Sequence, residues 1–226
     1  MCGRFTLTTP PSVLARELEL EAAPDLAPRF NVAPGQDVAT LWRPPSASRA
    51  LRLRRWGLVP HWARDVRIGS RLVNARAETA AEKPAFREAL RLRRCLVPAD
   101  GFYEWAGAGR GPRQPYHIAF ADRKLFAIAG LFERWRAEAG EWLESCVLLT
   151  VAANEQIRPL HDRMPAILPR PDWEAWLDPE LRDPARVGAL LAPWAGEPFA
   201  PRPVSRRVNR TEHDDPECLA PLAGPV

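Results

Sequence analysis

The spacing of apolar and polar positions changes character along the chain. Near the start, residues 12–21 set Val13, Leu14 and Leu18 behind Ser12, which predicts a short capped helix. Residues 38–42 and 51–58 predict strands, and residues 83–92 a second helix with Phe86 and Leu90 one turn apart. The middle of the chain is a succession of strand signals at 95–99, 102–105, 116–120, 125–132 and 146–152, with turn residues at 107–111 and 121–122. Helices are predicted again over 154–160, 172–177 and 184–191. Proline-rich stretches at 193–203 and 216–225 read as loops wrapping the core. Strands in the middle and short helices at the ends predict an α+β fold with a curved, mostly antiparallel, barrel-like sheet as its core and short peripheral helices. No repeat or linker interrupts the pattern, so residues 2–222 read as one domain and 223–226 as a tail.

Composition supports a packed domain. Of 226 residues 46% are apolar, nine of them tryptophan, enough to exclude disorder. The opening Met1-Cys2-Gly3-Arg4 lacks the basic and apolar regions of a signal peptide, and no apolar run reaches the roughly 20 residues of a spanning helix. The chain is therefore expected in the cytoplasm, without a membrane. The four cysteines, at 2, 95, 146 and 218, form no CxxC pair, so neither a metal site nor a redox motif is indicated, and no cofactor. Cys95 and Cys146 lie in apolar runs and read as small buried hydrophobes. Net charge is +4, but it is uneven: Arg43 to Arg94 holds fourteen basic residues against four acidic ones. That +10 block predicts a phosphate-binding face, unless it is simply a solvated arginine-rich surface.

Cys2 carries the most distinctive chemistry. With glycine after it, it is small enough for the initiator methionine to be removed, which would leave an α-amine and a thiol two carbons apart. An α-amine has a pKa of about 7.7 against about 10.4 for lysine, so near neutrality roughly a third of it is nucleophilic, against roughly 0.1% of a lysine. That ratio is worth about 3 kcal/mol. An aldehyde caught as a Schiff base would then meet the neighbouring thiol intramolecularly and close to a five-membered thiazolidine. Taken alone, Cys2 is equally an incidental residue near a terminus.

Three further segments have the same double reading. Leu72-Val73-Asn74-Ala75-Arg76-Ala77-Glu78-Thr79 puts an amide and a guanidinium just after a strand, where Asn74 also reads as a plain turn former. Asp100-Gly101-Phe102-Tyr103-Glu104-Trp105 sets one carboxylate among aromatics; facing inward, Glu104 would be desolvated, with a raised pKa that suits a general acid. Leu160-His161-Asp162-Arg163-Met164-Pro165 places a histidine between an apolar run and a proline turn, where it also fits as a satisfied core residue.

Together with Met1-Cys2-Gly3-Arg4-Phe5, Phe30-Asn31-Val32-Ala33-Pro34-Gly35, Trp56-Gly57-Leu58-Val59-Pro60-His61-Trp62 and the late Pro203-Val204-Ser205-Arg206-Arg207-Val208-Asn209, these segments resemble, in order and over nearly the whole chain, the SRAP family of SOS-response-associated peptidases or abasic-site processing proteins. The resemblance implies the SRAP fold and a covalent crosslink between Cys2 and abasic sites in single-stranded DNA, with lyase and self-processing peptidase activities possible at the same site. It implies that Asn74 orients the terminal cysteine, Glu104 shuttles protons during Schiff-base formation, and His161 helps open the deoxyribose ring and takes part in reversal. It also implies DNA contacts by Arg4, Arg76, Thr150 and Arg163 near phosphates, Trp62 stacking on bases or wedging the strand, and Asn31 and Pro34 lining the site. A monomer with no obligate protein partner, nucleoid-associated when on damaged DNA, is expected.

Three other readings stay open at this stage, one of them a noncovalent single-strand binder in which Cys2 plays no part. Cysteine peptidase activity is compatible with the same residues. Met-Cys-Gly openings also mark glutamine amidotransferases of the N-terminal-nucleophile type, although 226 residues leave no room for their usual synthetase partner domain.

Overall fold

The computed structural model describes residues 2–44, 47–107 and 113–222. Thirteen strands are present among them: β1 (Phe5–Leu7), β2 (Arg29–Val32), β3 (Asp37–Trp42), β4 (Ala50–Trp56), β5 (Asn74–Arg76), β6 (Arg94–Ala99), β7 (Gly101–Ala106), β8 (Gln114–Ile118), β9 (Phe126–Arg136), β10 (Trp142–Ala152), β11 (Arg163–Pro165), β12 (Ile167–Leu168) and β13 (Arg202–Pro203). β4 pairs with β3, β3 with β6, β6 with β9, β9 with β10, and β10 returns to β4, which closes a five-stranded barrel. Every pairing in that ring is antiparallel except β10 with β4. A second, wholly antiparallel sheet runs β13-β8-β7-β1-β2. The expected α+β class with a barrel-like core is therefore what the chain forms.

β10 owes its central position to its composition. Cys146 to Val151 is an unbroken buried run, suited to a strand covered on both faces. Besides β9 and β4, it accepts β5 in parallel and β11 in antiparallel register. The two sheets share one core: Phe5 of β1 meets Trp56 of β4 at 5.4 Å, and Phe102 of β7 meets Phe126 of β9 at 6.4 Å. Cys95 and Cys146 are fully buried, as expected; Cys218, on which the sequence was silent, is buried beside Tyr103, Val204 and Val208.

The chain passes from barrel to second sheet at a single residue, Asp100, between β6 and β7. Its carboxylate accepts from Thr6 Oγ1 at 2.6 Å, and from the backbone N–H groups of Thr8 and Thr9 at 2.5 and 2.8 Å, with both hydroxyls adding bonds. Beneath it lies His117, buried and held neutral, its pKa driven down to about 3 by burial and by the cationic Arg202 and Arg123. Only glycine fits at 101, because a Cβ there would come within 2.1 Å of His117 Nε2. This clamp fixes β1, the strand that follows the Cys2 segment. Asp100→Ala should strip several part-buried donors of their acceptor and cost about 3 kcal/mol in urea unfolding; a loss below about 1 kcal/mol would remove the clamp from the account.

Several elements differ from expectation. The first helix, α1 (Pro11–Leu18), starts with proline at its first position and has Pro10, not Ser12, at its N-cap. The helix expected over 154–160 is a series of turns, since Pro159 has no N–H to continue a helical ladder. The helix at 83–92 is reduced to Arg87–Leu92 behind turns, and those at 172–177 and 184–191 to Trp173–Leu177 and Pro184–Gly188. Beyond Gly107, the turn expected at 107–111 lies outside the described residues, as do the tail 223–226 and the end of the second proline-rich stretch.

Candidate functional site around Cys2

β1 runs antiparallel to β7 with Phe5 opposite Phe102, and the Tyr103 N–H donates to the Arg4 carbonyl at 3.0 Å. Continuing that register brings Gly3 abreast of Glu104, with Cys2 next to it. Cys2 is fully buried, and its thiol points at the Arg4 carbonyl, 3.7 Å away. Burial, and after it the negative charge of Glu104, pushes the Cys2 thiol well above its usual range. The thiol is thus held protonated.

Asn74 opens β5, where the parallel pairing with β10 sets it opposite Leu148. Its Nδ2 donates to the Cys2 carbonyl at 2.7 Å. A carbonyl only accepts, so the amide orientation is fixed: Nδ2 faces Cys2 and Oδ1 faces away. That Oδ1 is buried and takes no hydrogen bond among the described residues. It remains available to an N–H donor.

Glu104 is 3% exposed, and burial raises its pKa to about 7 against the opposing pull of the chain's N-terminal amine, with the nearby Asp162 carboxylate adding to the rise. The inward-facing carboxyl anticipated from its aromatic neighbours is therefore realised. His161 follows the turns after β10, where its own N–H donates to the Ile157 carbonyl at 3.0 Å. Its Nδ1 accepts from the Arg163 N–H at 2.9 Å and also lies 2.8 Å from Asp162 Oδ1. One nitrogen cannot accept from the first and donate to the second. Burial lowers the imidazole pKa, and Asp162, whose side chain is 84% exposed, is well solvated, so the neutral ring with Nδ1 as acceptor is the consistent state. The proton then sits on Nε2.

The residues expected to meet DNA separate into two kinds. Trp62 is half-exposed on a loop tied down by the Trp135 Nε1 bond to the Ala63 carbonyl at 2.7 Å, and Pro34 and Arg76 are exposed. The loop leaves β4 through Gly57 (φ +136°), whose backbone lies so close to Gly69 that a Cβ would sit 2.8 Å from the Gly69 carbonyl oxygen. By contrast, Asn31 and Thr150 have no exposed surface. Asn31 accepts from Arg4 Nη1 at 3.0 Å and donates to the carbonyls of Val208, Arg210 and His213, so it ties a late segment to the site. Arg4, half-buried, also bonds the Val208 carbonyl at 2.7 Å and lies 5.9 Å over the Trp105 ring. The Thr150 carbonyl holds Arg163, whose guanidinium is engaged by Glu78 through two bonds of 2.7 and 2.8 Å. Asn31 and Thr150 are supports, and Arg163 is a brace in this state.

Part of the +10 block is not free to meet phosphate. Arg54 and Arg94 are buried, the latter bonding four backbone carbonyls. Arg43 and Arg49 pair with Glu174, Arg52 with Glu144, and Arg93 with Glu133, acidic residues that all lie outside the block in sequence. Counting charge along the chain missed partners that the fold brings in from elsewhere.

A barrel and sheet that bury the second residue beside an asparagine and a carboxyl of raised pKa define a protein built around Cys2. The chain belongs to the SOS response associated peptidase (SRAP) family, whose model matches residues 1–211. It is 38% identical over 222 residues to the abasic site processing protein YoqW of Bacillus subtilis, covering 97% of this chain and 99% of that one. The abasic site processing protein HMCES of Mus musculus is 32% identical over 270 residues, with 98% of this chain and 76% of that one covered. Among solved structures, a protein from Bacteroides thetaiotaomicron superposes with a TM-score of 0.85 at 27% identity, over 98% of this chain and all of that one.

Proposed function

We propose that this protein captures abasic sites in single-stranded DNA by covalent bonding to Cys2, acting as a single domain over residues 2–222. The names of its relatives supply the lesion. The observation that carries the chemistry is the Cys2 carbonyl held by Asn74 beside a buried carboxyl that titrates at about 7.

Removal of Met1 frees the Cys2 amine, and Asn74 Oδ1 is the acceptor that would aim it. The amine adds to the ring-opened aldehyde of the lesion to give a carbinolamine. Glu104 then donates a proton to the carbinolamine hydroxyl, and water leaves. Because the Cys2 thiol is protonated, its attack on the imine carbon needs a base, and Glu104 has just become one. The water leaves behind an iminium whose nitrogen keeps its own proton. As sulfur attacks, Glu104 takes the thiol proton and returns to the acid form, and the neutral thiazolidine closes with one water lost overall. In ring opening the anomeric hydroxyl loses a proton and the ring oxygen gains one. Neutral His161 assists this exchange with solvent by donating a hydrogen bond from Nε2 to the ring oxygen, and stays neutral throughout. The reading is tested by incubating the processed protein with an oligonucleotide bearing one abasic site: an adduct that survives denaturation supports it, and none refutes it.

Two consequences follow for neighbouring residues. His161→Ala should slow release from a preformed adduct more than it lowers final yield, read by chasing with excess abasic strand of another length; exchange as fast as wild type would end its role in reversal. Arg76→Ala should weaken binding to many sequences alike and flatten the log–log salt dependence by roughly 0.7, the value for one phosphate contact on a single strand. An unchanged slope would assign Arg76 to structure.

A further inference from the structure

The charged pair behind His161 has a consequence for its chemistry. Glu78, in the first turn of the short helix α2 (Ala77–Ala80), grips both terminal nitrogens of Arg163, and the same guanidinium bonds the Thr150 carbonyl at 2.6 Å. Arg163 opens β11, a strand of three residues paired to β10 at Ala152. With its side chain anchored at three points, the backbone of Arg163 is fixed, and its N–H is the donor to His161 Nδ1. Across from it stands the competing partner, Asp162 Oδ1, 2.8 Å from the same nitrogen.

The two partners demand opposite tautomers. An N–H donor at Nδ1 requires a lone pair there, so the neutral ring carries its proton on Nε2. A carboxylate at Nδ1 requires a proton there, which leaves Nε2 bare in the neutral ring. The first arrangement makes His161 a proton donor toward the site, and the second makes it an acceptor.

We propose that Glu78 is the positioning residue that selects the Nε2–H form of His161, acting through the backbone of Arg163. Without the Glu78 carboxylate, the first residue of a three-residue strand loses its main anchor, the Arg163 N–H drifts from Nδ1, and Asp162 takes over. The other charges acting on the imidazole, the chain's N-terminal amine and, after it, Arg113, both disfavour the imidazolium. This arrangement also explains why Arg163 is not an open phosphate contact. The inference about the tautomer stands on geometry alone; its effect on reversal rests on the function proposed above.

The test is nitrogen NMR of the ¹⁵N-histidine-labelled protein without DNA, with His161 assigned among the four histidines by its loss in His161→Ala. Wild type should give a neutral ring with the Nε2–H signature. Glu78→Ala should move it toward the Nδ1–H or averaged signature, with an apparent pKa raised by Asp162, and Glu78→Asp should restore part of the wild-type pattern. Arg163→Ala should give the same change, and the double variant no more than either alone. In strand exchange, Glu78→Ala should slow release by about tenfold, short of the 10²–10⁴ typical for outright loss of a general acid. An unchanged His161 signature in both Glu78→Ala and Arg163→Ala overturns the proposal. A changed signature with unchanged exchange upholds the Glu78 assignment and instead overturns the role of His161 in reversal.

Discussion

Cys2→Ala is expected to give no denaturation-resistant product with abasic single-stranded DNA, while keeping its noncovalent affinity for the strand. The alanine variant still presents an α-amine, so a transient Schiff base forms, but nothing closes on it. Hydrolysis returns the aldehyde, and the yield of stable adduct falls to background. Cys2→Ser separates the two functional groups further, since its hydroxyl can only close to the weaker oxygen analogue. Its product should be labile, trappable by borohydride, and accompanied by strand cleavage through β-elimination. The variants should fold, because Cys2 contributes one small side chain to the core and its carbonyl bond to Asn74 is a backbone contact that any residue keeps. Equal stable yields from Cys2→Ala and wild type would remove Cys2 from the mechanism.

Glu104→Gln should lower the rate of adduct formation by 10²–10⁴, the usual cost of losing a positioned general acid, and should change the shape of its pH profile. In wild type two groups titrate in opposite senses. The Cys2 amine becomes nucleophilic as pH rises through about 7.7. The Glu104 carboxyl loses the proton it must donate as pH rises through about 7. The product of the two fractions is a bell, and glutamine should abolish only the falling limb, leaving a rate that climbs to a plateau as the amine is freed. Stability gives an independent check on the same pKa. A carboxyl whose folded value is raised contributes fully below its unfolded value and loses that contribution as pH rises through about 7. Glu104→Gln should therefore unfold at higher urea than wild type in alkaline buffer and show little difference in acid. A falling limb that persists in Glu104→Gln would assign it to another group.

Much of this arrangement was legible in the chain itself, for identifiable reasons. The long barrel strands announced themselves because β6, β9 and β10 are buried on both faces and therefore apolar almost throughout. The three-residue strands β1, β5 and β11 carry too few positions to show a period, yet β5 and β11 open on Asn74 and Arg163, and β1 follows Arg4 directly. Their pairing depends on β7 and β10, distant in sequence, which no local pattern encodes. The raised pKa of Glu104 was readable because its aromatic neighbours foretold burial. The bracing of Arg163 by Glu78 was not, since 85 positions separate them and a glutamate in a polar stretch has no distinguishing mark. Charge misled for the same reason: Arg54 and Arg94 count as surface in a sum over sequence and lie in the interior of the fold.

The central claim is that one residue supplies both atoms that hold the lesion. The direct measurement is mass spectrometry of the adduct after nuclease and protease digestion. The account predicts an N-terminal peptide beginning at Cys2, without Met1, carrying the sugar remnant less one water, with neither a free amine nor an alkylatable thiol at that residue. A remnant on a lysine, or on a Cys2 whose thiol still reacts with an alkylating reagent, would contradict it.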